Sequence, residues 1–260
     1  MKIPLFYYHS IGGTPPETLP VAWFAKHLET IREQGFRTVT VSDLIQGRYR
    51  EEERVAALIF DDGLLDNYEN AVPLLNEFQC TATFFVVPGY DRITRWVNPK
   101  TARWSDVVME GYTIPFKNMG AHHRRELLNM KMEIGSHSLT HRRLTRLDPR
   151  EYRHEIIRSK QVLEDEFGTS VKTFCYPNGK FNRGIVRIVR EAGYIGACST
   201  IPGYFNPQGN PYKINRFLIE NPFYFREVLR GDGFSIWRFL RARWKIRLQN
   251  RAGNKQIRKK

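Results

Sequence analysis

The stretch Leu58-Ile59-Phe60-Asp61-Asp62-Gly63 ends an apolar run on two carboxylates and a glycine. A short apolar run bounded by turn residues reads as a buried strand. Besides 55–60, the runs 3–8, 37–41, 81–87, 132–135, 171–176, 194–198 and 213–219 read the same way. Helical spacing of apolar residues fills the intervals 21–34, 66–78, 124–130, 149–167 and 182–192. Gly35, Gly168 and Gly193 follow three of these as stop signals, and Asp148-Pro149 with Glu151 is a start signal. Strand–helix alternation of this kind predicts an α/β fold with seven to eight mainly parallel strands, open or closed into a distorted (β/α) barrel. Chemistry in such folds collects at the carboxyl ends of strands. His9, Asp61-Asp62, His137 and Pro177-Asn178 all fall at such ends.

Ser136-His137-Ser138-Leu139-Thr140-His141 adds two imidazoles four residues apart, which would share one face if the segment began a helix. One Asp and two His suit a borderline divalent ion such as zinc and leave a position for water. A second carboxylate beside the ligand is where a general base is wanted. The plainer alternative makes Asp-Asp-Gly a turn and the His pair a polar helix face. Their joint occurrence, each after an apolar run, favours the metal.

The chain of 260 residues carries a net charge of +14, but the segment 234–260 alone holds ten Lys or Arg and no acid. The basic character therefore belongs largely to the C-terminal tail, and nucleic acid is disfavoured as a partner of the body. We divide the chain at 1–231 and 232–260. In the tail, Trp237, Leu240, Trp244 and Leu248 form one stripe while Arg238, Arg241 and Lys245 face elsewhere. Such a helix fits an anionic membrane surface, or docks on the domain with a solvated basic face. Residues 91–123 fit no regular unit and read as an insertion on the active-site side, where Trp96, Trp104 and Tyr112 are available to stack on sugars or to pack locally. Cys80, Cys175 and Cys198 form no Cys-x-x-Cys motif and read as small buried hydrophobes. The apolar run 3–8 is too short for a secretory signal. The expected location is cytoplasmic, with the tail available to the inner face of the membrane.

Several of these motifs resemble a known family. Ile59-Phe60-Asp61-Asp62-Gly63 is similar to the first motif of the polysaccharide deacetylases, the NodB-homology domain of carbohydrate esterase family four. The stretch from Glu133-Ile134-Gly135 through His141 resembles the second, and Phe174-Cys175-Tyr176-Pro177-Asn178-Gly179 the third. Tyr8-His9-Ser10 resembles the opening of a subset whose motif order is circularly permuted. The resemblance implies a distorted barrel over 1–231 that removes N-acetyl groups from acetylated amino sugars with a divalent metal: zinc, with cobalt, nickel or manganese as alternatives. It implies Asp62, His137 and His141 as ligands, Asp61 as base, His9 as acid, and the Asn178 backbone N–H as an oxyanion donor.

The departures are specific. Cys175 stands where many members carry the Arg that orients the base, and Asn178 replaces a Tyr. No His follows His154, so the late Leu-x-His motif is missing and His9 is left as the main candidate acid. Arg216 reads as a surface or structural residue, or as a substitute partner for Asp61. Tyr176, Pro177, Arg216, Trp96 and Trp104 complete the candidates for substrate contact or support.

Overall fold

The computed structural model describes residues 2–13, 18–90, 118–219 and 222–231, with the backbone of short strands at 96–98, 103–105, 108–109 and 112–113. Eight strands form the central sheet: β1 Leu5–Tyr8, β2 Arg37–Thr38, β3 Val55–Phe60, β4 Thr83–Val86, β5 Glu133–Ser136, β6 Thr173–Cys175, β7 Gly196–Cys198 and β8 Phe217–Leu218. The order is β7-β6-β5-β4-β3-β1-β8, and β2 pairs with the first residues of β3. Every pairing in this sheet is parallel. The sheet curls into a half-barrel. Residues 214–218 span its two ends: Ile214 bridges Cys198 of β7, and Phe217 pairs with Phe6 of β1.

Alternation along each strand sorts the apolar side chains into two cores. Leu5, Tyr7, Val55, Ala57, Ile59, Phe85, Cys175 and Cys198 fill the concave interior. Phe6, Tyr8, Leu58, Phe60, Phe84 and Phe174 face the helices. Gly135 lets the Phe85 ring into that interior, since a Cβ there would sit 2.5 Å from it. The same period of two aims the next residues inward, Asp61 beyond Ile59 and His137 beyond Gly135. A strand rule thus places two polar groups over an apolar floor.

The helices are α1 Val21–Glu33, α2 Val41–Ile45, α3 Val72–Glu77, α4 Ala121–Asn129, α5 Pro149–Phe167, α6 Arg183–Glu191 and α7 Pro222–Arg230. α5 starts where the sequence signals it: Asp148 Oδ1 accepts from the N–H of Arg150 at 2.8 Å and of Glu151 at 2.9 Å, and Gly168 ends it at φ 64°. Other expectations need correction. The strand expected to reach Val41 stops at Thr38, because Thr40 caps α2 by accepting from Asp43 N–H at 3.1 Å. The helix expected over 66–78 opens as a π turn, Asn67–Ala71. α4 begins at Ala121, inside the proposed insertion, and the rest of that segment includes two small antiparallel hairpins. The segment after β5 is a loop rather than a helix. α7, unforeseen, ends beside Lys2, whose Nζ donates to Gly231 O at 3.3 Å. The tail helix proposed for 232–260 lies outside the described residues. Among the described residues, no helix is long and apolar enough to cross a membrane.

One carboxyl is buried at the amino end of the barrel. Glu133 accepts from Thr83 Oγ1 at 2.8 Å, Thr173 Oγ1 at 2.8 Å and the Ser42 N–H at 3.0 Å. Burial still holds its pKa above the ordinary Glu value, despite these donors. A folded-state pKa above the unfolded one means that folding binds the proton, so this contribution to stability is full below the unfolded value of about 4.3 and is lost as pH rises through the folded value. Thermal melts of wild type and Glu133→Gln should therefore show wild type gaining on the variant as pH falls from 7 towards 4.

Candidate metal centre and active site

β3 delivers Asp61 and Asp62 to the carboxyl end of the barrel. Asp61 continues the strand's inward face. Asp62 has φ 76°, which breaks the alternation and swings its carboxylate towards the loop after β5. Gly63 follows at φ 72°, with Val86 so close that a Cβ would meet it at 3.1 Å. The loop after β5 is bent at Ser138 (φ 65°) and His141 (φ 55°), and the turn after β6 at Asn178 (φ 55°). Left-handed backbone at a residue other than glycine costs about 1–3 kcal/mol, and four such positions bend the chain where the candidate residues lie.

Three of those residues converge. Asp62 Oδ1 lies 3.5 Å from His137 Nε2 and 3.4 Å from His141 Nε2, and all three side chains are buried. His137 Nδ1 donates to Cys175 O at 2.8 Å, an atom that only accepts, so Nε2 presents its lone pair to the carboxylate. Burial pushes the His137 pKa down to about 4 and that of His141 well below its usual value, so both rings are neutral near pH 7. A carboxylate oxygen facing two imidazole nitrogens, one of them a fixed lone pair, is a favourable arrangement around a cation. The set therefore fits a divalent metal. Asp61, His137 and Cys175 also cluster, but that group is poor for a cation. Arg216 already occupies Asp61, and burial raises the Cys175 thiol well above its usual pKa.

The loop bearing His141 is held from α5. Glu155 accepts from Thr140 N–H at 2.9 Å and from Thr140 Oγ1, and its backbone carbonyl takes the Leu139 N–H at 3.1 Å. Gly89 N–H donates to Leu139 O at 2.9 Å from the other side. These contacts fix the second imidazole where no helix does.

Asp61 is paired with Arg216 in a fork, Nη1 to Oδ1 at 2.8 Å and Nη2 to Oδ2 at 2.9 Å. Arg216 is fully buried, which corrects its reading as a surface residue. It lies in the segment that joins the two ends of the sheet, so its side chain enters the interior. Its Nε donates to Ser199 O at 2.8 Å, and its guanidinium lies 4.3 Å from the Tyr7 ring centroid. Cys175 leaves room for it, with Arg216 Nη2 donating to Sγ at 3.1 Å. Burial would raise the Asp61 pKa, but the Arg216 guanidinium, by its charge and its hydrogen bonds, holds it well below the carboxylate range.

His9 follows β1, is half-buried, and is near enough for its charge to act on Asp61, His137 and His141. Asn178 is half-buried in the turn after β6. That turn's own bonds use the N–H of Gly179 (to Tyr176 O, 2.7 Å) and of Lys180 (to Pro177 O, 3.3 Å), not that of Asn178. Tyr176 and Pro177 are buried, and Tyr176 OH donates to Tyr212 O at 3.0 Å, so both support the turn rather than line a sugar site. Trp96 and Trp104 lie on paired short strands, and their side chains are outside the described residues. The insertion around them leaves after β4 and returns beside the acidic motif, where Met119 N–H donates to Gly63 O at 2.9 Å. Sequence reading missed Glu155, and it missed the polar residues Asp66, Asn67 and Asn70 beneath His9.

The family model for polysaccharide deacetylases matches residues 48–197. The poly-β-1,6-N-acetyl-D-glucosamine N-deacetylase of Staphylococcus aureus (strain MSSA476) is 23% identical over 244 residues, covering 88% of this chain and 77% of the relative. Among solved structures, the Streptococcus pyogenes deacetylase PplD in complex with acetate matches with a TM-score of 0.73 at 21% identity, over 89% of this chain and 97% of that one. IcaB from Ammonifex degensii matches equally, with a TM-score of 0.73 at 21% identity over 88% and 96%. These structural matches carry the fold, and the family model covers more than half of the sequence. The chain belongs to the polysaccharide deacetylase family.

Proposed function

We propose that this chain is a metal-dependent de-N-acetylase of an amino-sugar polymer or oligomer, with the metal, preferably zinc, held by Asp62, His137 and His141. The observation that carries the reading is the convergence of those three side chains beside a carboxylate already fixed by Arg216. A divalent ion bound there would acidify a water molecule and polarise the acyl carbonyl. Asp61, kept ionised by Arg216, is the base that takes the proton of the attacking water. The Asn178 N–H, in its left-handed turn, is the backbone donor for the tetrahedral oxyanion. His9 gives its proton to the departing nitrogen. The low pKa of Asp61 makes it a weak base that is always ready, so it suits a water already acidified.

The staphylococcal relative acts on poly-β-1,6-N-acetyl-D-glucosamine by name, and that polymer is the first substrate to try. Acetate release from acetylated amino-sugar oligomers should require added zinc and stop on chelation. Absence of release from every acetylated sugar, with metal bound, would overturn the proposal. His141→Ala should weaken zinc binding by more than the ~10–100-fold typical of changes outside the ligand shell, as read by titration calorimetry.

A further inference from the structure

We propose that Asp66, Asn67 and Asn70 form a clamp that positions His9 to protonate the departing amine. This rests on the reading of His9 as the acid. Each of residues 9–11 is held by at least one of the three side chains. Asn67, fully buried, donates from Nδ2 to His9 O at 2.8 Å. Asp66 accepts from Ser10 Oγ at 2.7 Å and from the Ile11 N–H at 3.2 Å. Asn70 donates from Nδ2 to Ile11 O at 2.8 Å. The loop lies close on these residues: a Cβ at Gly13 would sit 2.1 Å from Asp66 Oδ2, and one at Gly12 would sit 3.1 Å from Asn70 Nδ2.

The geometry links two parts of the reaction. The clamp runs from Asp66, which precedes the π turn Asn67–Ala71, to Asn70 within it, and the turn begins five residues after Asp62. π turns are rare and occur frequently at functional sites. The chain that delivers the base thus also grips the loop that delivers the acid. These four side-chain bonds reach three consecutive residues, of which Ser10 and Ile11 are buried and pair as a short strand with Thr18–Leu19. By holding the His9 backbone and the two residues after it, these bonds set the point from which the His9 ring reaches towards Asp61.

Collapse of the tetrahedral intermediate breaks the C–N bond. Its electron pair moves to nitrogen, nitrogen takes the His9 proton and leaves as the amine, and the acyl carbon leaves as acetate. An activated aryl acetate releases a stable phenolate and needs no such proton. A misplaced acid should therefore slow amide cleavage and spare the ester, whereas general structural damage should slow both.

The test uses the full chain loaded with zinc, a β-1,6-linked N-acetylglucosamine oligomer and 4-nitrophenyl acetate. Asn67→Ala should lower kcat on the oligomer about 10- to 100-fold with KM within about twofold, and change the ester rate by less than about twofold. Asn70→Ala should act in the same direction, more weakly. His9→Ala should give the same amide-selective pattern at larger size. Hydrogen exchange should quicken at residues 9–13 in Asn67→Ala while β1 and β3 stay protected. Equal losses on both substrates, or no loss in a folded variant, would overturn the clamp while leaving His9 in place. A His9→Ala variant without amide selectivity would instead remove His9 as the acid. Should Asn67→Ala fail to fold, the half-buried Asn70→Ala and Asp66→Asn decide by the same criterion.

Discussion

Asp61→Asn is expected to cut deacetylation by about two to four orders of magnitude while the protein still binds one equivalent of zinc. The two effects separate because the two carboxylates face different partners. Asp62 points at the paired imidazoles, and both oxygens of Asp61 are engaged by Arg216. Asparagine keeps the shape but cannot take a proton from water. It also turns an amide group towards a buried guanidinium, so some loss of stability accompanies the loss of turnover. Zinc stoichiometry, a thermal melt and a turnover assay on one preparation distinguish these. Near-wild-type turnover would show that Asp61 is not the base.

Arg216→Met is expected to be more damaging to the fold. It leaves a buried carboxylate without its charge partner, a change that costs about 3–5 kcal/mol in comparable buried pairs. The pH dependence has a definite sign. In the wild type the folded-state pKa of Asp61 lies below its unfolded value. The pair therefore contributes stability above the unfolded value of about 3.9, and that contribution is lost as pH falls through the folded value. Without Arg216 the push of burial wins, the Asp61 pKa rises, and the acidic limb of the rate profile should move to higher pH. Lysine should not restore either property, because it lacks the planar two-point fork. Chemical denaturation and a kcat/KM profile of Arg216→Met and Arg216→Lys test this, and an unshifted acidic limb would contradict it.

The barrel was legible because its strands are short apolar runs separated by helices with plain stop signals. The strand ends carried the chemistry, and strict alternation from Ile59 to Asp61 and from Gly135 to His137 explains why. The bends were not legible. Nothing in Ser138 or His141 signals a left-handed backbone, so the His pair read as one helix face when it is a loop held by Glu155. Arg216 was ambiguous for a different reason. A buried arginine and a surface arginine look alike until the closing segment is known to seal the barrel. The Asn67 and Asn70 bonds to residues 9 and 11 join the segment after β1 to the turn after β3, more than fifty residues away in sequence. Such contacts follow from strand order, and strand order is not written in local periodicity.

The central claim is that Asp62, His137 and His141 bind one ion beside an Arg-held base. Anomalous diffraction at the zinc edge from a zinc-soaked crystal tests it most directly. The account predicts one strong peak at bonding distance, about 2.0–2.2 Å, from an Asp62 oxygen and from Nε2 of both imidazoles. A peak centred instead on Asp61 and Cys175, or none at full zinc occupancy in solution, would contradict it.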